Sequence, residues 1–368
     1  MIAEDDAEQL AVWRRDVIEF NQKADRKFTF VIQEARTAAE AREILAKYNI
    51  DCAIIDLRLP PAEERPDEAV YGNELRAFIE NELPIPAAIH TAYLGDLDEA
   101  GQASIMKTFT KDAGQTTEAL EWFAKKARLM EALANTNQRI KKETAKVLHA
   151  SIWPRWEAEQ AQEKAPDRFD DIVTRQVVSH LTEKFSLPLE DVPAHHLHEF
   201  YHFPPMRERL HTGDLVRNED AVYVIVTPQC DIVNDYPTHF LLAKCLSDNE
   251  DWKSIEDAVA GNNFSVSNTQ KDKIRKFATH ARDQRTHFLP PCGKEGGPWI
   301  VDFKEIITVE GSRVDELLNN RFASIAAPFV PNLVHRFAAF IGRIGQPELD
   351  VEVLGEHIAS ACREPPAD

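Results

Sequence analysis

The chain has 368 residues, of which 43% are hydrophobic, and this is enough to build two cores of ordinary size. Its formal net charge of −19 opposes non-specific attraction to DNA and to anionic membranes, so nucleic acid is not an expected partner. The amino terminus is acidic and no apolar run approaches the roughly eighteen residues of a membrane span, so we expect a cytoplasmic protein that makes no membrane contact.

Acidic residues follow two short apolar segments near the amino terminus. The acidic run of residues 4–6 comes after residues 1–3, and Asp56 comes after residues 52–55, with Pro60 excluding a longer central strand. The carboxyl ends of parallel strands in open α/β sheets meet at one edge, where such proteins place their chemistry. We therefore expect an oxygen-rich pocket that suits Mg²⁺, in which Asp56 can act as a nucleophile. The alternative is that Asp56 only forms a turn or caps a helix.

Hydrophobic periodicity alternates between strand and helix over the first third of the chain. Predicted strands cover residues 1–3, 28–35, 51–56, 86–93 and 104–109, and predicted helices cover 7–24, 37–48, 75–83 and 96–103. Five strands alternating with helices predict an α/β fold with a doubly wound parallel sheet, covered on both faces, for which the strand order 2-1-3-4-5 is common.

Four motifs at the ends of these strands resemble, in chain order, those of response-regulator receiver domains. They are Glu4-Asp5-Asp6, Asp56 with Pro60, His90-Thr91-Ala92 and Lys107-Thr108-Phe109, and the resemblance covers residues 1–125. It implies a flavodoxin-like domain in which Asp56 accepts phosphate from a histidine kinase. It also implies that Mg²⁺ is held by Asp5, Asp6, Asp56 and the backbone carbonyl of Arg58. The resemblance further implies that Thr91 and Lys107 contact the phosphoryl group.

Two lysines compete for the phosphate-contacting role. Lys107 follows an apolar pair and precedes Phe109, as the lysine of the family does, and it is the preferred candidate. Thr108 stands where the family usually has a proline, and this makes Lys111 a rival. Because Lys111 lies beside Asp112, the ordinary interpretation is a solvent-exposed charge pair that contributes little.

From residue 115 the pattern turns helical and continues beyond the height of one domain. Apolar side chains recur at heptad-like spacing through Leu120, Phe123, Ala127, Met130 and Ala134. The stripe predicts a connecting helix over residues 126–150. The apolar stripe either packs the last receiver helix onto its own sheet or forms the seam of a homodimer.

Residues 151–368 are predicted to form an α+β output domain. Residues 213–217, 221–226 and 239–245 alternate as antiparallel strands with polar turns, which predicts a small β-barrel. About thirty residues of this region resemble small SH3-like β-barrel modules of bacterial conflict and defence proteins. The closing stretch, 314–344, is predicted to be helical.

Two features of this region could carry chemistry. His195, His198 and His202 have helical spacing that would suit zinc, although surface packing is the commoner explanation. Cys230 lies next to an aspartate, so a nucleophilic role would need a histidine such as His211 or His239 to activate it, and a structural role is preferred. The five cysteines are odd in number and widely spaced, which indicates reduced thiols.

These patterns favour a response-regulator-like signalling protein whose receiver controls the carboxy-terminal domain, with no enzymatic turnover beyond loss of its own phosphate. One alternative is a regulated enzyme whose chemistry resides in Cys230 or the histidines. Another is a receiver that only drains phosphate in a bacterial defence phosphorelay.

Overall fold

The computed structural model describes residues 1–24, 26–62, 71–102, 104–160, 168–186, 194–234, 237–281, 284–343 and 347–362. The chain divides into two compact units, residues 1–187 and residues 188–368. Residues 151–187, which were predicted to belong to the output domain, therefore fall in the first unit.

The first unit is built on a five-stranded parallel sheet. Its strands are β1 Ile2–Ala3, β2 Glu34–Ala35, β3 Ala53–Ile55, β4 Ala87–Thr91 and β5 Lys107–Thr110, in the order β2-β1-β3-β4-β5. This confirms the predicted α/β fold and strand order. The second strand is shorter than the predicted 28–35 because β1, its ladder partner, has only two residues to pair with it.

Helices cover both faces of this sheet, as the alternation predicted. They are α1 Ala7–Gln22, α2 Ala38–Lys47, α3 Tyr71–Glu82, α4 Glu99–Gln102 and α5 Gln115–Ala124. One core contains Leu45 of α2 with Leu75 of α3, and the other contains Trp13 of α1 with Phe123 of α5. Strands β3 and β4 lie between the two cores and are fully buried. They therefore give rigid support to the residues at their carboxyl ends.

Long helices continue the first unit beyond its sheet. They are α6 Ala127–Val147, a π-helical turn Leu148–Ile152, α7 Trp153–Gln160 and α8 Phe169–Ser186. On α6, Glu143 accepts from Lys146 at 2.6 Å and lies 3.3 Å from His180 Nε2 of α8. The predicted connecting helix, α6, therefore contacts α8, and its use as a dimer seam stays a prediction.

The second unit carries a seven-stranded sheet. Its strands are β6 Tyr201–His202, β7 Asp214–Asn218, β8 Ala221–Ile225, β9 His239–Leu246, β10 Thr286–Leu289, β11 Trp299–Glu310 and β12 Arg321–Ile325, in the order β10-β11-β9-β8-β7-β12-β6. All its ladders are antiparallel, as predicted. Among the described residues no ladder pairs β10 with β6, so these are the edge strands and the predicted β-barrel is not closed by a ladder. One hydrogen bond links the two edges: the Tyr201 hydroxyl of β6 donates to the Pro290 carbonyl, next to β10, at 2.8 Å.

The described residues of the second unit also form six α-helices: α9 Gln229–Asn234, α10 Glu250–Ala260, α11 Asn268–Ala278, α12 Val314–Asn319, α13 Val330–Ile341 and α14 Val351–Ala361. The prediction of continuous helix over 314–344 is wrong in its middle, where β12 pairs with β7. Asp214 on β7 explains this, because its buried carboxylate accepts from the Ser324 hydroxyl at 2.6 Å and from Arg321 at 3.1 Å. Tertiary pairing overrides the local helical pattern here.

Candidate functional site

Asp56 is held at the carboxyl end of β3 by close backbone packing. Its amide donates to the Ala3 carbonyl at 2.9 Å, and its residue is only 4% exposed. Gly72 at the start of α3 lies so close that a Cβ there would be 2.2 Å from the Asp56 carbonyl oxygen. The helix therefore presses directly on the loop that carries Asp56, and only glycine permits that approach.

Three carboxylates converge at this edge of the sheet. Ligand oxygens of Glu4, Asp5 and Asp56 lie within 4.8 Å of one another, with Glu4 and Asp56 buried and Asp5 exposed. Asp6 faces elsewhere, because its side chain caps α1 by accepting from the amides of Glu8 at 2.8 Å and Gln9 at 3.5 Å. The structure thus puts Glu4, and not the predicted Asp6, in the acidic group.

The lysine beside Asp56 is Lys111. Its Nζ lies 2.9 Å from Asp56 Oδ2 and 2.8 Å from Glu4 Oε1. Lys107, the preferred candidate, pairs instead with Glu118 at 2.7 Å near the surface. The cause is register: Lys107 begins β5 and pairs with Ala88, so it lies away from the carboxyl edge that Lys111 reaches. The preference for Lys107 is corrected by this geometry.

The charges of this group are strongly coupled. Burial raises the pKa of Glu4 to about 7, the Asp56 charge acts in the same direction, and the Lys111 hydrogen bond opposes both. Burial alone would lower the pKa of Lys111, but its hydrogen bonds to Asp56 and Glu4 outweigh that effect and raise it. Lys111 is therefore the ammonium that compensates two buried carboxylates.

A buried histidine lies behind the acidic group. His90 on β4 is 1% exposed, its Nδ1 is 3.9 Å from Glu4 Oε2, and Trp13 packs edge-on against its ring. Burial, followed by the Lys111 charge, lowers the pKa of His90 to about 4, so the ring is neutral near pH 7. Sequence reasoning used His90 only as part of a motif, although a histidine in the otherwise apolar run 87–90 was a signal.

Two further predicted site residues flank this group. Thr91, the last residue of β4, is fully buried, and its Oγ1 accepts from the Tyr93 amide at 3.2 Å. The Arg58 side chain donates to Asp96 Oδ2 at 2.6 Å, and its guanidinium lies 3.3 Å from the Tyr93 ring centroid. These contacts engage the Arg58 side chain, while the metal role predicted for its backbone carbonyl stays a prediction.

The acidic group has the donor chemistry of a hard-cation site. Its ligands are all carboxylate oxygens, which Mg²⁺ prefers, and it lacks the histidine or thiolate that zinc favours. Lys111 Nζ lies 2.8 Å from both Glu4 oxygens, so the buried carboxylate is compensated by an ammonium. A buried carboxylate that already binds one cationic group, beside two other carboxylates, fits a cation ligand.

The histidines singled out in the second unit do not share a helical face. Residues 197–199 form a single 3₁₀ turn, His195 Nδ1 lies 2.6 Å from Glu199 Oε2, and His202 is on β6. Among the residues that the structure describes there, no three metal-ligating side chains converge.

Cys230 lies at the surface of the second unit. Its Sγ lies 3.5 Å from Asp231 Oδ1, and no described histidine hydrogen-bonds to it. Without a histidine base beside it among the described residues, the thiol is not activated as a nucleophile.

The parallel sheet and its strand order are those of a flavodoxin-like doubly wound fold, with the acidic group at the ends of β1 and β3, and they occupy the first unit. No family model matches the chain, and no curated protein sequence matches it. Among the helices of the described residues, none combines the length and apolar composition that crossing a membrane requires.

Several solved structures are similar to the chain. A CheY-like response regulator receiver domain protein from Methanospirillum hungatei JF-1 is 20% identical, covering 36% of this chain and 94% of that one, with a TM-score of 0.28. The signal receiver domain of a LuxO repressor protein from Vibrio parahaemolyticus is 18% identical over 36% and 93%, with a TM-score of 0.28. RcsB from Salmonella enterica serovar Typhimurium, bound to promoter DNA, is 16% identical over 50% and 87%, with a TM-score of 0.26.

Proposed function

We propose that the first unit is a phospho-accepting receiver domain and that Asp56 takes a phosphoryl group from the phosphohistidine of a histidine kinase. The observation that carries this proposal is the ion pair of Lys111 with Asp56 at the edge of the parallel sheet, beside Glu4 and Asp5. A structural aspartate needs neither a partner ammonium nor a cation-binding group of carboxylates beside it. A nucleophilic carboxylate that receives an anionic phosphoryl group needs positive charge at that place, which Lys111 and a cation held by Glu4, Asp5 and Asp56 would supply.

The transfer conserves atoms and charge in a simple way. An Asp56 Oδ attacks the phosphorus, the new O–P bond forms as the N–P bond breaks, and the electron pair returns to the imidazole nitrogen of the kinase. Glu4, Asp5, Asp56 and the backbone carbonyl of Arg58 would hold Mg²⁺. When bound, Mg²⁺ neutralises negative charge on the carboxylates and on the phosphoryl oxygens.

Lys111 and Thr91 would then contact the product. Lys111 Nζ already lies 2.9 Å from Asp56 Oδ2, so a small movement brings its charge onto a phosphoryl oxygen. The Thr91 hydroxyl, at the end of the neighbouring strand β4, is the second donor. These two contacts exist only in the phosphorylated state and would shift the equilibrium between two conformations of the unit.

The output would pass through the helices that follow the sheet. Helix α5 packs on α1, and the chain continues directly into α6. Phosphorylation of Asp56 should therefore change hydrogen exchange along residues 115–148. A receiver that only drains phosphate would become labelled without that change.

The proposal is tested by labelling the full chain with acetyl phosphate in the presence of Mg²⁺ and mapping the modified residue by mass spectrometry. We expect one phosphoryl group, on Asp56, and no labelling when EDTA removes the cation. Asp56→Asn should abolish labelling. Asp51→Asn changes an exposed carboxylate before the amino-terminal end of β3 and should retain labelling. Undiminished labelling of Asp56→Asn would disprove the proposal.

A further inference from the structure

His90 has buried polar atoms that the receiver mechanism does not use. It is 1% exposed on β4, and neither Nδ1 nor Nε2 has a hydrogen-bond partner among the described residues. Leaving a buried polar group unpaired destabilises the fold, and an apolar residue would avoid that cost at this position. The ring therefore calls for an explanation beyond packing.

The ring points one nitrogen at the acidic group. His90 Nδ1 is 3.9 Å from Glu4 Oε2, too far for a hydrogen bond and near enough for a small side-chain rotation to make one. The partner of Glu4 Oε2 in the structure is the Lys111 ammonium, whose Nζ lies 2.8 Å away. The unpaired ring nitrogen thus faces a buried carboxylate oxygen that would lose its partner if Lys111 moved.

We propose that His90 is a positioning residue for the cation site and holds Glu4 through a ring N–H when Lys111 turns from Glu4 to the phosphoryl group. This inference rests on the proposed function of the site. Among the described side chains, Lys111 is the one that donates a hydrogen bond to the Glu4 carboxylate, so its departure would leave Glu4 without that partner. His90 Nδ1 then lies within reach of Glu4 Oε2 as a replacement donor.

A neutral imidazole suits this role better than a second ammonium would. It orients Glu4 without cancelling the negative charge that a divalent cation needs. His90 is not itself a ligand, because the group of converging ligand atoms in the described residues consists of Glu4, Asp5 and Asp56. Partners that orient metal ligands typically contribute about 10–100-fold to metal affinity.

The test compares two replacements of His90 in the full chain, with Mg²⁺ binding measured by calorimetry. His90→Asn keeps a neutral N–H donor near the position of Nδ1, and His90→Leu removes the donor and keeps an apolar volume. We expect His90→Leu to bind Mg²⁺ about tenfold or more weakly, while its metal-free thermal stability is equal or higher. His90→Asn should bind nearly as well as the unmodified protein. His90→Val provides the same comparison if the leucine variant does not fold.

A double-mutant cycle with Glu4→Gln makes the test specific. If His90 acts through Glu4, then His90→Leu should cause no further loss of Mg²⁺ affinity in the Glu4→Gln background. His287→Leu is the matched control, since His287 is also buried with an unpaired Nδ1 but belongs to the second unit. It should leave Mg²⁺ affinity unchanged.

Two outcomes would overturn the inference, and they differ from failure of the proposed function. Unchanged Mg²⁺ affinity in His90→Leu, or equal losses in the leucine and asparagine variants, would remove the positioning role while leaving the cation site intact. Absence of Mg²⁺ binding by the unmodified protein would overturn the proposed function and this inference together.

Discussion

Lys111 Nζ lies 2.9 Å from Asp56 Oδ2 and, from the same position, 2.8 Å from Glu4 Oε1. One ammonium, 15% exposed, thus compensates two carboxylates that are almost completely buried. The resting site is therefore held together by a cation of the protein itself, and a divalent cation or a phosphoryl group must compete for its partners.

Replacing this lysine should weaken the metal-free first unit. Lys111→Met leaves Glu4 and Asp56 buried without a counter-charge, and breaking a buried pair in this way costs about 3 kcal/mol. Lys107→Met is the matched control, because Lys107 pairs with exposed Glu118 and lies over the Phe109 ring near the surface, where such contacts contribute little. Hydrogen exchange in β1 and β3 measures the effect locally, as a chain of two units requires. Equal exchange in both variants would contradict the role assigned to Lys111.

Mg²⁺ binding should separate the two neighbouring aspartates. Asp5→Asn removes a carboxylate of the acidic group, and we expect affinity to fall by about tenfold or more, because affinity depends on ligand charge. Asp6→Asn should bind Mg²⁺ normally, since asparagine caps a helix as well as aspartate does. Isothermal titration of Mg²⁺ into both variants measures the two affinities. A larger loss of affinity in Asp6→Asn would restore the prediction from sequence that Asp6 is a Mg²⁺ ligand.

Glycine should be required where α3 presses on the Asp56 loop. A Cβ at Gly72 would lie 2.2 Å from the Asp56 carbonyl oxygen and 2.4 Å from Leu57 Cα, and backbone atoms cannot give way cheaply. We expect Gly72→Ala to destabilise the first unit by about 3 kcal/mol, the upper part of the range for overpacking. Gly95→Ala, with no atom within 4 Å of its added methyl group, should have little effect. Hydrogen exchange in β1 and β3 of both variants measures the difference, and equal exchange would contradict the close approach.

Mg²⁺ affinity should rise with pH around neutrality. Burial raises the pKa of Glu4 to about 7, so Glu4 is protonated and a poor ligand below that value and ionised above it. A raised carboxyl pKa also favours the metal-free fold below the unfolded value of 4.5, and that stabilisation is lost as the pH rises through about 7. The folded-state pKa of His90, about 4, lies outside this range.

Calorimetric titrations between about pH 6 and pH 8 check this prediction. Glu4→Gln should bind Mg²⁺ weakly at every pH in the range and lose most of the pH dependence. A wild-type affinity that stays constant across the range would show that Glu4 is ionised throughout.

Local patterns were sufficient to predict much of the first unit. Short apolar runs and helical periodicity depend on neighbouring residues, so the alternation of strands and helices, the parallel sheet and the strand-end position of Asp56 could all be predicted. The acidic run at residues 4–6 was also located correctly. Asp6 could have been recognised as a cap from the helix that begins at Ala7.

By itself the sequence determined the doubly wound parallel fold of the first unit and the strand-end position of Asp56, because both follow from short-range periodicity and from the place where a buried strand must end. The tertiary structure alone decided which lysine reaches Asp56, because that depends on the register of β5 against β4, where Lys107 pairs with Ala88. It likewise decided that residues 321–325 form a strand, since their partner β7 lies about a hundred residues away. Long-range pairing sets both outcomes, and no local pattern encodes it.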